Sequence, residues 1–161
     1  MSDDRHDTEP GPQLVTADAV TTAVIRRTVP MAELGGFYDE AFRTLVETLT
    51  RQGIAPAGPA FGLYHGAPTD TADVEAGFAT AGPVEADGDV VAGSLPAGRV
   101  ARLVHRGSYD TLVGSWERLH SWVVSQSLQP GPLMWELYVT EPTPDADPAE
   151  LLTELNLQVD G

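Results

Sequence analysis

This chain predicts an α+β fold: two copies of a βαββ unit joined in one antiparallel-dominated sheet, with both helices on a single face. Two observations carry that prediction. Short patterns recur in the same order in both halves of the 161 residues. Each half also runs from a β-branched, alternating segment through a helical stripe to two further strand-like segments. A third observation points to function. In the run Met134-Trp135-Glu136-Leu137-Tyr138-Val139 one carboxylate is embedded in apolar sequence.

Taken in order, residues 1–13 are polar and acidic and predict a disordered tail, and residues 14–161 form a single domain. Repeat one covers about 14–80, a Gly-, Pro- and acid-rich linker about 81–97, and repeat two about 98–160. Ala19 to Val29 is loosely alternating and β-branched, as a strand requires. Leu34, Tyr38, Ala41, Phe42, Leu45 and Leu49 then follow helical spacing, with Gly53 at the stop. In the second half Arg99 to His105 is the strand, and Leu112, Trp116, Leu119 and Val123 form the buried stripe of the helix. The linker carries one short strand at Val90-Val91-Ala92, and Asp145-Ala146-Asp147-Pro148 predicts a long hairpin loop.

The repeat is carried by paired landmarks. Gly36-Phe37-Tyr38-Asp39 matches Gly107-Ser108-Tyr109-Asp110, each opening a helix. Gly58-Pro59 and Gly131-Pro132 precede the strands Phe61-Gly62-Leu63-Tyr64 and Trp135-Glu136-Leu137-Tyr138. The copies close with Val74-Glu75-Ala76-Gly77-Phe78 and Thr153-Glu154-Leu155-Asn156-Leu157. Joining two such units edge to edge creates a groove at the pseudo-two-fold seam. Gly62-Tyr64 and Glu136-Tyr138 are expected on its opposite walls, with Gly62 standing where Glu136 stands in the other copy.

Composition excludes several chemistries. There is no Cys, so disulfides, thiolate catalysis and thiolate zinc sites are absent. The formal net charge is −15, and all nine basic residues are Arg. That disfavours direct nucleic-acid binding, which needs clustered cations to neutralise phosphate. No apolar run is long enough to span a bilayer and the amino terminus lacks the order of a secretory signal, so a cytoplasmic location is expected. His65 and His105 lie at strand ends without metal-ligand spacing, and no phosphate loop or nucleophile elbow is present. No metal and no cofactor are expected.

Strand alternation puts Met134, Glu136 and Tyr138 on one face and Trp135, Leu137 and Val139 on the other. A buried ionised carboxylate is costly unless a cation or hydrogen-bond donors meet it. Either the fold brings such a group, a backbone amide or an Arg such as Arg102, or the carboxylate faces a cationic ligand among aromatic rings. Trp135 and Trp116 read chiefly as core. Tyr38, Tyr64, Tyr109 and Tyr138 each fit either packing or a ligand site.

The order and spacing of these landmarks resemble the GyrI-like small-molecule-binding domain, which is also the effector-binding domain of BmrR-type multidrug-sensing activators. The residues that carry the resemblance are Gly107-Ser108-Tyr109-Asp110, Trp116-Glu117-Arg118-Leu119, Trp135-Glu136-Leu137-Tyr138 and Thr153-Glu154-Leu155. The resemblance implies a duplicated βαββ fold that binds lipophilic aromatic, often cationic, molecules in a central cleft. It implies Glu136 as counter-charge, with Tyr38, Tyr64, Tyr109 and Tyr138 as the aromatic cage. Met134, Gly62, Trp135 and His105 are the remaining candidate lining residues. A DNA-binding region is not expected ahead of the domain. Two other readings stay open: a hydrolase that opens strained electrophilic rings of genotoxic natural products through Glu136 and Tyr138, and a gyrase-interacting protein whose acidic surface imitates nucleic acid.

Overall fold

The structure, a computed structural model, describes residues 11–66, 68–108, 111–140 and 147–160. Its elements are β1 (Gln13–Ala17), β2 (Val20–Pro30), α1 (Leu34–Gln52), β3 (Pro56–His65), β4 (Thr71–Thr80), β5 (Val91–Leu95), β6 (Gly98–Arg106), α2 (Leu112–Ser125), β7 (Gln129–Tyr138) and β8 (Leu152–Asp160). The fold is α+β, with eight strands in one sheet ordered β1-β6-β8-β7-β3-β4-β2-β5. Every pairing is antiparallel.

The sequence order is symmetric about the β3·β7 pair, with β4 and β2 on one side and β8 and β6 on the other. That is the arrangement two βαββ units would produce. Two edge strands are added to it. β5 lies where Val90-Val91-Ala92 suggested a strand, whereas β1 begins at Gln13 and falls partly in the stretch expected to be a tail. Of the expected hairpin loop, Asp145 and Ala146 lie outside the described residues, and Pro148 opens a short 3-10 turn, Pro148–Glu150.

The edge strands dictate the curvature. β1 and β2 are joined by Asp18 and Ala19 alone, yet six strand spacings separate them in the sheet order. Laid flat, that separation is roughly 29 Å, while two linking residues reach only about 11 Å. The same mismatch holds between β5 and β6, joined by Pro96 and Ala97. The sheet therefore curls until its two edges approach each other. Its inner face buries a cluster built on Val24, Phe61, Leu63, Leu95, Val100 and Trp135 without help from any helix.

Both helices pack on the other face. α1 lies against β2 and β4, and α2 against β6, β7 and β8. The α1 stripe is Phe37, Ala41, Leu45 and Leu49; the α2 stripe is Ser115, Trp116, Leu119 and Val123. Leu45 and Leu119 are fully buried, each contributing roughly 1.5–3 kcal/mol by removal from water. α1 stops at Gly53, whose φ of 71° is left-handed, and the Ile54 N–H donates to Leu49 O at 2.9 Å. Among the described residues no helix is long and apolar enough to cross a membrane.

Candidate functional site

Because α1 covers one half of the sheet and α2 the other, the central β3·β7 pair is left as the floor between them. Above it lies a groove of about 1850 Å³. At its centre Gly62 pairs directly with Glu136. The expected opposite walls are thus adjacent, hydrogen-bonded strands, and the helices supply the walls. This follows from antiparallel pairing, which places equivalent strands side by side rather than across a gap.

Alternation holds from Met134 to Tyr138: Met134 packs in the cluster beneath the helices, and Trp135 and Leu137 pack in the inner one; Val139, expected on the face of Trp135, lies past the end of β7 and lines the groove instead. Glu136 therefore faces the groove, 6% exposed. The Trp116 indole Nε1–H donates to its Oε2 at 2.7 Å and the Tyr138 hydroxyl donates to its Oε1 at 2.8 Å. Arg102, the cation considered as a partner, lies on the other sheet face, where its Nε donates to Asn156 Oδ1 at 2.9 Å. Among the described residues no Arg forms an ion pair with Glu136. Burial pushes the Glu136 carboxyl above its ordinary value, opposed by the two hydrogen bonds and by His105 nearby.

Three tyrosines gather beside the carboxylate. The Tyr38 hydroxyl donates to the Tyr64 hydroxyl at 2.8 Å, and the Tyr38 and Tyr138 rings meet edge to face at 5.9 Å. Burial first, then the Glu136 charge, raises the pKa of all three phenols, so they remain neutral donors. Gly62 makes the close approach possible. A Cβ at that position would lie 2.1 Å from the Tyr38 hydroxyl oxygen. The ring wall continues through Phe42, stacked on Tyr38 at 5.6 Å, to Phe78 at 5.7 Å.

Of the residues anticipated from sequence, Glu136, Tyr138, Tyr64, Tyr38 and Met134 line the groove. Gly62 lies beneath it and contributes the space filled by Tyr38. Trp135 is elsewhere, 3% exposed in the inner cluster, because its odd register turns it away from the helices. His105 is also outside the lining, buried against α2 with its Nδ1 2.7 Å from Ser115 Oγ. Tyr109 lies outside the described residues. Among the lining residues not singled out from sequence are the rings of Trp116, Phe42 and Phe78, Trp116 belonging at the same time to the buried core. The available signal was spacing, since Phe42 follows Tyr38 by one helical turn and so shares its face. At the rim, Asp39, Glu47 and Glu117 outnumber Arg43.

The fold recurs in solved structures. The crystal structure of the EcmrR C-terminal domain superposes with a TM-score of 0.82 at 20% identity, covering 92% of this chain and 96% of that one. In the EcmrR–DNA complex the match has a TM-score of 0.81 at 21% identity, covers 92% of this chain and spans 57% of the EcmrR chain. SAV2435 bound to tetraphenylphosphonium matches at 0.68 with 15% identity, covering 94% and 95% of the two chains. A hydrolase encoded by lin2189 from Listeria innocua matches at 0.69 with 13% identity, covering 94% and 93%. No curated protein sequence matches significantly. The model of the GyrI-like small molecule binding domain matches residues 11–160, and with that span the chain belongs to the GyrI-like family.

Proposed function

We propose that this protein binds lipophilic aromatic cations in the inter-helix groove, with Glu136 as their counter-charge. The observation that carries the reading is Glu136 itself: a buried carboxylate facing the groove and held by two neutral donors, Trp116 and Tyr138. Such a group is under-compensated, and a cation beside it recovers much of its desolvation cost. The rings of Tyr38, Phe42 and Trp116 suit the same ligand through cation–π attraction. The acidic rim and the net charge of −15 favour approach of cations over anions or nucleic acid. The structure of a protein of similar fold, SAV2435, is bound to such a cation, tetraphenylphosphonium.

Titration calorimetry with tetraphenylphosphonium and a neutral aromatic of similar size tests the reading. Glu136→Gln is expected to weaken the cation by about 10- to 100-fold and the neutral compound by less than about threefold. Equal loss for both sinks the counter-charge. Because only the ionised carboxylate attracts the cation, affinity is expected to rise with pH through the upward-displaced Glu136 range.

A second reading is favoured by the Tyr138 hydroxyl directed at the Glu136 carboxylate. Here Glu136 is the general base and Tyr138 orients the attacking water in hydrolysis of strained electrophilic rings. The raised carboxyl suits a base working near neutrality. Multiple turnovers of an electrophilic alkylator, lost in Glu136→Gln, would favour it over binding alone; none beyond stoichiometric uptake would exclude it.

A further inference from the structure

We propose that the groove takes a linear amphiphile, with a cationic head over Glu136 and one unbranched apolar arm laid toward the Tyr138 end. The head rests on the role given to Glu136 above; the arm rests on how the groove is divided. At about 1850 Å³ the groove exceeds the roughly 300–1000 Å³ that encloses a drug-sized molecule. A compact cation seated at Glu136 leaves much of it unfilled.

The register of the floor defines two ends. Tyr64 pairs with Met134 on one side of the Gly62–Glu136 pair, and Phe61 pairs with Leu137 on the other, so Ala60 and Tyr138 mark the second end. Phe78 pairs with Ala60, and the Phe42 ring meets Phe78 at 5.7 Å and Tyr138 at 6.4 Å. Val46 lies one turn beyond Phe42 on α1. α2 begins at this same end. The strand before it finishes at Arg106, paired with Leu152, and the adjacent Thr153 pairs with Tyr138. Val113 in the first turn of α2 and Val139 just past β7 complete the opening.

This end is apolar and left in water. Among the described residues seven large apolar side chains are exposed, and three of them, Val46 at 50%, Val113 at 67% and Val139 at 50%, stand around this one opening. Scattered exposed valines are ordinary, but three converging on a groove backed by two phenylalanines mark a surface that a ligand covers. The Tyr64–Met134 end differs. α2 runs toward Gln129 at the start of β7, which carries His120 and Ser121 to that end, where Thr69 joins them. Met31, whose N–H donates to Asp70 O, is its exposed apolar member. Asp39, Arg43, Glu47 and Glu117 are all exposed on the rim, so the carboxylate drawn inside is that of Glu136.

The apolar end has a definite length. Glu136 to Val139 is about 10 Å of extended chain, and Tyr38 to Val46 is about 12 Å of helix. An extended alkyl arm advances about 1.25 Å per carbon, given bonds of about 1.5 Å. Roughly eight to ten carbons therefore fill this end, and further ones emerge into solvent.

Titration calorimetry with n-alkyltrimethylammonium ions of about four to about fourteen carbons, each below its micelle-forming concentration, tests the arm. Affinity is expected to rise about threefold per added carbon, then level off beyond about ten. No rise with length overturns the proposal. So does an unbroken rise through the longest chain, which reports partition onto apolar surface rather than an arm of fixed length. Val46→Asn combined with Val113→Asn, both at exposed positions, is expected to weaken the ten-carbon ion by about tenfold and the four-carbon ion by less than about threefold. If Met31→Asn has that effect instead, the arm lies at the other end and the proposal fails. In Glu136→Gln the whole series is expected to weaken by one constant factor, with the dependence on length kept. Length dependence without that weakening supports the arm and removes the counter-charge; weakening without length dependence does the opposite.

Discussion

Glu75 and Glu154 sit on the sheet face that curls in on itself, while Glu136 sits on the face beneath the helices. All three are drawn out of water to differing degrees, yet their surroundings differ in kind. Glu75 touches His65, and Glu154 lies 3.5 Å from Arg102 beside fully buried Asn156. Glu136, the most buried of the three side chains' settings, meets an indole and a phenol. On the closed face a charge brings its basic partner with it, because nothing else will ever arrive. Where the sheet is left open between two helices, neutral donors hold the carboxylate in place and leave its charge for a visitor.

The sharpest way to break that contrast is to disturb the floor. Gly62→Ala forces the Tyr38 hydroxyl out of its place and is expected to cost about 2–3 kcal/mol of stability, read by urea unfolding, with loss of the Tyr38–Tyr64 hydrogen bond. Next, Arg102→Met should cost about 1–2 kcal/mol, discounted because a third of the Arg102 side chain is exposed, and leave cation binding unchanged. A smaller effect is expected from Trp116→Phe, about 1 kcal/mol in stability, with altered cation affinity as well; an effect on stability alone would remove Trp116 from the site.

The smallest expected effect has the opposite sign. Burial raises the folded-state Glu136 pKa above the ordinary value of about 4.5. The unfolded chain therefore loses this proton first, and Glu136 costs stability as pH rises through that range. Glu136→Gln is accordingly expected to melt higher than wild type at pH 8, with the gain vanishing near pH 4. For Glu154→Gln the expectation is a loss at pH 8, since it abandons Arg102. A gain in both variants would erase the distinction between the two faces.

Much of this was legible in the chain. Period-two alternation in the Met134–Val139 run placed Glu136 against Trp135 correctly, and helical spacing with Gly53 at its end marked α1. The GyrI-like membership was readable from the order of short motifs. Three things were not. β1 is five residues, Gln-Leu-Val-Thr-Ala, too short to separate from a loop by pattern. Trp116 belongs to the buried core as its stripe position implies, but a wide apolar stripe does not reveal that its indole also overhangs the groove. Arg102 could be weighed as a partner for Glu136 because sequence does not say which β6 residues share a face with which on β7; the intervening β8 fixes that register.

The crossing of the edge strands has a consequence for how the chain folds. Gln13 pairs with Arg102, and Val20 with Leu95, so each half is finished by a strand from beyond its own boundary. These contacts close loops of about half the chain's length, a topology associated with slow folding. During synthesis β1 emerges first and waits for β6. Until then its edge partner does not exist, and neither half can complete its sheet alone.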